Sequence, residues 1–151
     1  MDAPPFDDAR PARPGPWNGS AYSRPIQVRF SDVDLLGHVN NVRYFDYVHE
    51  AQTDVLTGVF QEARVPGTVE TVVVRSEMDH TGQLNLRSEP YDVRCRVVAV
   101  GRTSVTMETE IRDEDRVMAH SRIVEVNVDP DDTPIPWCDE HRELFEQRRD
   151  G

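Results

Sequence analysis

The sequence contains no lysine; all 17 of its Lys-plus-Arg positions are arginine. That excludes Schiff-base chemistry and a P-loop lysine, and it leaves arginine as the one strong handle for phosphate groups. Cysteine is nearly absent too. Cys95 and Cys138 make no disulfide framework and lack the closely spaced partners that a zinc site needs, so reduced thiols and a cytoplasmic location are expected. His49, His80, His120 and His141 show no ligand spacing to one another, and no metal is expected. No apolar run approaches the length that crosses a membrane, and the opening MDAPPFDDAR has neither the basic start nor the apolar core of a secretory signal. A G-x-S-x-G elbow is missing, which removes the serine-hydrolase reading. The net charge of −11 comes without a visible basic face, so nucleic acid is excluded as a partner. An acidic protein can still bind an anionic ligand, but it must do so locally.

The 151 residues suffice for one domain with a sizeable core and are too few for two ordinary ones. Residues 1–24 hold five prolines and few large apolar side chains and read as a mobile arm, leaving 25–151 as the domain. Residues 26–30 alternate apolar and polar, as a half-buried strand does. From Asn41 the period changes: Val42, Phe45, Val48, Ala51 and Val55 recur at three- and four-residue steps, which predicts an amphipathic helix over about 41–57. Asn40 or Asn41 would cap it, and Gly58 would end it. Strands are predicted over 68–79, 91–100, 103–112 and 117–128, joined by short hairpins, with a polar C-terminal helix over 140–149. This order is an α+β pattern, an antiparallel five-stranded sheet around one long helix. One helix leaves a sheet edge and face uncovered, so a homodimer or homotetramer is expected.

The densest cluster of short polar side chains is Ser31-Asp32-Val33-Asp34-Leu35-Leu36-Gly37-His38-Val39-Asn40-Asn41, directly before the helix. A helix start presents backbone N–H groups without intrahelical partners and carries partial positive charge. A carbonyl oxygen placed there is stabilised as it becomes an oxyanion. Asp34 lies a few residues upstream on a loop that Gly37 allows to turn back. A carboxylate facing a polarised carbonyl can serve as nucleophile or as general base on water, a combination suited to acyl transfer or hydrolysis. Spacing alone favours the plainer reading, in which Asp34 only forms an Asx-turn.

The D-x-D-x-x-G-H-V-N-N core, followed by Tyr44, Tyr47 and Glu50-Ala51, strongly resembles the hotdog-fold acyl-CoA thioesterases, above all the 4-hydroxybenzoyl-CoA thioesterase-like branch. The GHVNN segment is also similar to plant acyl-ACP thioesterases. The similarity runs from about Val28 to Ile135. It implies a hotdog fold and hydrolysis of an acyl-CoA to free acid and coenzyme A, with the acyl group in an apolar slot between subunits. No metal or redox cofactor is implied. The family's catalytic carboxylate falls on Asp34 and its carbonyl-polarising N–H near Asn41. The histidine implicated in the acyl-ACP branch falls on His38, either as a catalytic or orienting group or as a brace of the loop. The plant enzymes carry an asparagine where this chain has Leu36, so a single-carboxylate mechanism is expected.

Asp32 is expected to serve loop N–H groups, Asn40 to cap the helix, and Glu50 to be structural, pairing with another subunit. Arg75, Arg87 and Arg102 are available for coenzyme A phosphates. Two other functions fit the same frame. One is a non-catalytic acyl-CoA-binding module. The other is a hydratase or dehydratase using His38 and Glu50. The fold alone does not choose among them.

Overall fold

The computed structural model describes residues 21–65 and 69–149. Its elements are β1 (Tyr22–Ile26), a 3-10 turn (Phe30–Asp32), α1 (Arg43–Glu62), β2 (Glu70–His80), β3 (Tyr91–Val100), β4 (Ser104–Asp113), β5 (Arg116–Val128) and α2 (Asp139–Gln147). The strands form one sheet in the order β1-β3-β4-β5-β2, every neighbouring pair antiparallel. The α+β architecture is the expected hotdog fold, with α1 laid across one face of the sheet.

Strand alternation builds that inner face. The register sets Val93, Ile111 and Ala119 side by side, then Cys95, Thr109 and Ser121, then Val97, Met107 and Ile123. Tyr44, Tyr47, Val48, Ala51, Gln52, Val55, Leu56 and Val59 form the buried stripe of α1, and the helix packs against β1, β3 and β4. One more row of the inner face carries Val105 beside Glu125. Glu125 is only 3% exposed, and burial pushes its carboxyl above the usual range.

Three expectations give way. The first strand is Tyr22–Ile26, not 26–30, so residues 22–24 belong to the sheet; the rest of the expected arm, 1–20, lies outside the described residues. Pro25 is tolerated because β1 is an edge strand, and Phe30, 84% exposed, belongs to the turn that follows. Second, α1 starts at Arg43 and runs through Gly58 to Glu62. Glycine costs a helix about 1 kcal/mol. That is outweighed by full burial of Val59 and by Phe60, which meets Trp137, His141 and Phe145 at centroid distances of 6.4, 5.3 and 6.2 Å. Third, β2 and β3 are not a hairpin. β2 pairs with β5 at the far edge, so residues 81–90 cross over to β3, and this crossover passes the loop in front of α1.

Candidate active site

The polar cluster before the helix folds as a tight reversal. Val33 pairs with Val39. The Asp34 N–H donates to the His38 carbonyl at 2.9 Å, and the Gly37 N–H donates to the Asp34 carbonyl at 3.0 Å. Gly37 sits at φ 77°, where a side chain would be strained. Within the turn, Asp34 Oδ1 accepts the Leu36 N–H at 2.9 Å and the His38 N–H at 3.2 Å. The Asx-turn is therefore real. It uses one carboxylate oxygen; Oδ2 makes no hydrogen bond among the described residues. Asp34 and His38 are brought together through the backbone of this turn.

The crossover 81–90 holds the reversal in place. Val39 donates to the Leu84 carbonyl at 2.9 Å, Leu86 donates to the Gly37 carbonyl at 3.3 Å, and His38 pairs with Asn85. The first helical turn grips the same crossover. The Tyr44 hydroxyl accepts the Leu84 N–H at 3.0 Å and donates to the Gly82 carbonyl at 3.4 Å, and its ring meets His80 edge-on at 4.6 Å.

Asp32 anchors the other side, as expected of it. It is 8% exposed. Its Oδ2 accepts the Tyr47 hydroxyl at 2.6 Å and the Arg29 N–H at 3.1 Å; its backbone carbonyl accepts the Asn40 N–H at 2.9 Å. Burial, with the Asp32 carboxylate beside it, pushes the Tyr47 phenol well above its ordinary value, so it remains a donor. The N-cap position of α1 falls on Val42, which makes no side-chain cap; the expected cap, Asn40, instead closes the turn ahead of it, its Oδ1 accepting the Val42 N–H at 3.1 Å and its carbonyl the Arg43 N–H at 2.8 Å. Asn41 stands in the turn just ahead of α1, and its N–H has no acceptor among the described residues. The loop thus offers a carboxylate oxygen, and the turn ahead of α1 a backbone N–H, both unengaged among the described residues. Asp34 and Asn41 are both exposed.

Glu50 pairs with Arg24 of its own chain at 3.5 Å. Arg75 is ion-paired with Glu77. Arg87 grips Asp113 through two bonds of 3.0 Å and lies 3.7 Å over the Tyr91 ring. Among the described residues no group of three or more His, Cys, Asp and Glu is placed to hold a metal ion, and no helix is long and apolar enough to cross a membrane. Tyr47 and the crossover 81–90 are the parts of this junction that sequence reasoning missed. Tyr47 stood in the motif, but nothing local ties it to Asp32.

The chain is similar to known proteins in sequence and in fold. The thioesterase-like superfamily matches this chain over residues 28–144. Uncharacterized protein YsmA of Bacillus subtilis (strain 168) is 27% identical over 132 residues, which cover 85% of this chain and 88% of that protein. Among solved structures, the PA5185 protein of Pseudomonas aeruginosa strain PAO1 is 26% identical with a TM-score of 0.76, over 91% of this chain and 99% of that one. A thioesterase of Thermus thermophilus, complexed with coenzyme A and Zn, is 26% identical with a TM-score of 0.72, over 85% and 92%. The match spans β3, β4, β5 and the whole loop-helix junction, and the chain belongs to the thioesterase-like superfamily.

Proposed function

We propose that the protein hydrolyses an acyl-CoA thioester to free acid and coenzyme A, with Asp34 as nucleophile or general base. The observation that carries this reading is the division of labour within one carboxylate: Oδ1 fixes the turn, while Oδ2 is left for chemistry at a helix start. The thioester carbonyl sits against the Asn41 N–H, where the helix dipole adds to the hydrogen bond. Asp34 either takes a proton from the attacking water, or attacks the carbonyl carbon to form a mixed anhydride that water then hydrolyses; in both routes the C–S bond breaks and the thiolate of coenzyme A leaves and is protonated. His38, fixed by its N–H to Asp34 and by Asn85, orients the substrate.

Coenzyme A in the Thermus thermophilus relative supports the substrate class. A homo-oligomer belongs to the same reading. Leu35, Leu36 and Val42 lie exposed on the junction, and Val72, Val73 and Val74 on the free edge of β2; a second copy would cover both and close the acyl slot.

The test is Asp34→Asn beside Asp34→Ala, assayed on a panel of acyl-CoAs with free thiol as readout. Asparagine keeps an Oδ1 acceptor, so Asp34→Asn retains the wild-type melting temperature yet loses roughly a hundredfold or more in turnover. Asp34→Ala loses both turn bonds and melts lower. A folded Asp34→Asn enzyme with wild-type turnover on its best substrate would end the assignment.

A further inference from the structure

The chain is strongly acidic, so an anionic substrate must find a local cation. A groove of about 510 Å3 runs beside the junction, between the segment leaving β1 and the first turns of α1. Three guanidinium groups line it: Arg24, Arg29 and Arg43. Two of them are committed. Arg24 holds Asp54 at 2.7 Å and Glu50 at 3.5 Å. Arg43 holds Asp46 at 3.0 Å and stands 4.0 Å from Asp32. The Arg29 guanidinium makes no ion pair or hydrogen bond among the described residues.

The three carboxylates of the groove are in turn engaged: Asp46 with Arg43, Glu50 with Arg24, and Asp32 with the Tyr47 hydroxyl and the Arg29 N–H. What is left over is one exposed fork of N–H donors that no carboxylate of the groove engages, in a lining that also includes Ser31. The backbone under that fork is tied to the site. The Arg29 N–H binds the Asp32 carboxylate and the Asp32 carbonyl takes the Asn40 N–H, so Arg29 is two hydrogen bonds from the helix start. Arg75 and Arg87 are locked onto their own acids, and Arg102 sits at the β3–β4 turn.

We propose that Arg29, with Ser31, binds a phosphate group of the thiol carrier and thereby selects phosphate-bearing thioesters over plain ones. The proposal rests on the thioesterase reading above. A guanidinium matches phosphate geometry by paired N–H donors, and an exposed one contributes through an interaction that salt screens.

The test compares three thioesters of the best acyl group, carried on coenzyme A, on 4′-phosphopantetheine and on pantetheine, with wild type, Arg29→Gln and Arg29→Lys. In wild type, kcat/KM is higher for the phosphate-bearing carriers than for pantetheine. Arg29→Gln lowers that preference about tenfold, the factor equivalent to 1.4 kcal/mol, through KM and not kcat, and Arg29→Lys restores part of it. Added salt erodes the wild-type preference and hardly touches that of Arg29→Gln. Loss with both phosphate carriers places the contact at the phosphate nearest the pantetheine arm; loss with coenzyme A alone places it at the nucleotide end. A preference unchanged in Arg29→Gln overturns the proposal while leaving hydrolysis intact, whereas hydrolysis of none of the three thioesters by wild type overturns both.

Discussion

Removing one oxygen atom by Tyr47→Phe tests whether Asp32 is the anchor of the junction. The phenol meets Asp32 Oδ2 at 2.6 Å, and both side chains are buried. A hydrogen bond to a charged acceptor contributes about 1.5–3 kcal/mol, and a buried group left unpaired loses its desolvation as well. Asp32 Oδ2 would keep the Arg29 N–H at 3.1 Å. Arg43 is too distant, at 4.0 Å, and at 49% side-chain exposure too solvated to compensate. Phenylalanine fills the same space, so no cavity term enters. The net loss is about 2 kcal/mol, which for a chain of this size lowers Tm by roughly 4–8 °C. Because the Asp32 carbonyl holds the Asn40 N–H, turnover falls as well, but by less than in Asp34→Asn. Thermal denaturation followed by circular dichroism, with thiol release assayed in parallel, reads both effects. A double-mutant cycle with Asp32→Asn isolates the pair. A Tm within about 1 °C of wild type, with no coupling in the cycle, would refute the anchoring role.

Gly58→Ala fills open space, since a Cβ there meets nothing within 4 Å; it raises stability by about 0.5–1 kcal/mol, read as a higher Tm, and a lower Tm would mean that the position is occupied in solution. Asn41→Pro removes the N–H assigned to the carbonyl oxygen at a position ahead of α1; the fold is retained and turnover is lost, while Asn41→Ala stays active, and a folded, fully active proline variant would transfer the oxyanion role to His38. Burial holds the Glu125 carboxyl above the usual range, so the folded chain binds its proton more tightly than the unfolded chain and this carboxyl's contribution falls as pH rises through and above about 4.3. In Glu125→Gln that loss disappears, and the Tm difference between variant and wild type grows in the variant's favour between pH 4 and pH 7; parallel Tm curves would show that Glu125 does not titrate in this range.

The parts of this molecule legible in its sequence are those fixed by near neighbours. Strand β3 lies where alternation from Tyr91 to Val100 placed it, because that signal depends only on which side chain follows which. The reversal around Gly37 was legible for the same reason, and Asp34 and His38 are joined by its bonds because they lie only four positions apart in the chain. What failed depended on partners far along the chain. Pro25 looked like a boundary until β3 supplied an edge-strand neighbour for it. Gly58 looked like a stop until Trp137 and Phe145 gave the next turn something to pack on. The bond from Tyr47 to Asp32 spans 15 residues and needs the pitch of α1 and the 3-10 turn at once. Which arginines remain unpaired cannot be read from a string in which every arginine looks alike; it follows from which carboxylates fold against them.

The two edges of the sheet are unlike. β1 is five residues long and contains Pro25, which has no N–H to offer a new neighbour. β2 is eleven residues long, has no proline, and exposes Val72, Val73 and Val74. A sheet with one receptive edge can be extended only there. If a second molecule joins by the same edge, each copy presents its blunt side outward and no template remains for a third. Growth then stops at a closed pair, and the chain can keep a long strand with an exposed run of three valines at its border without the hazard of fibre formation.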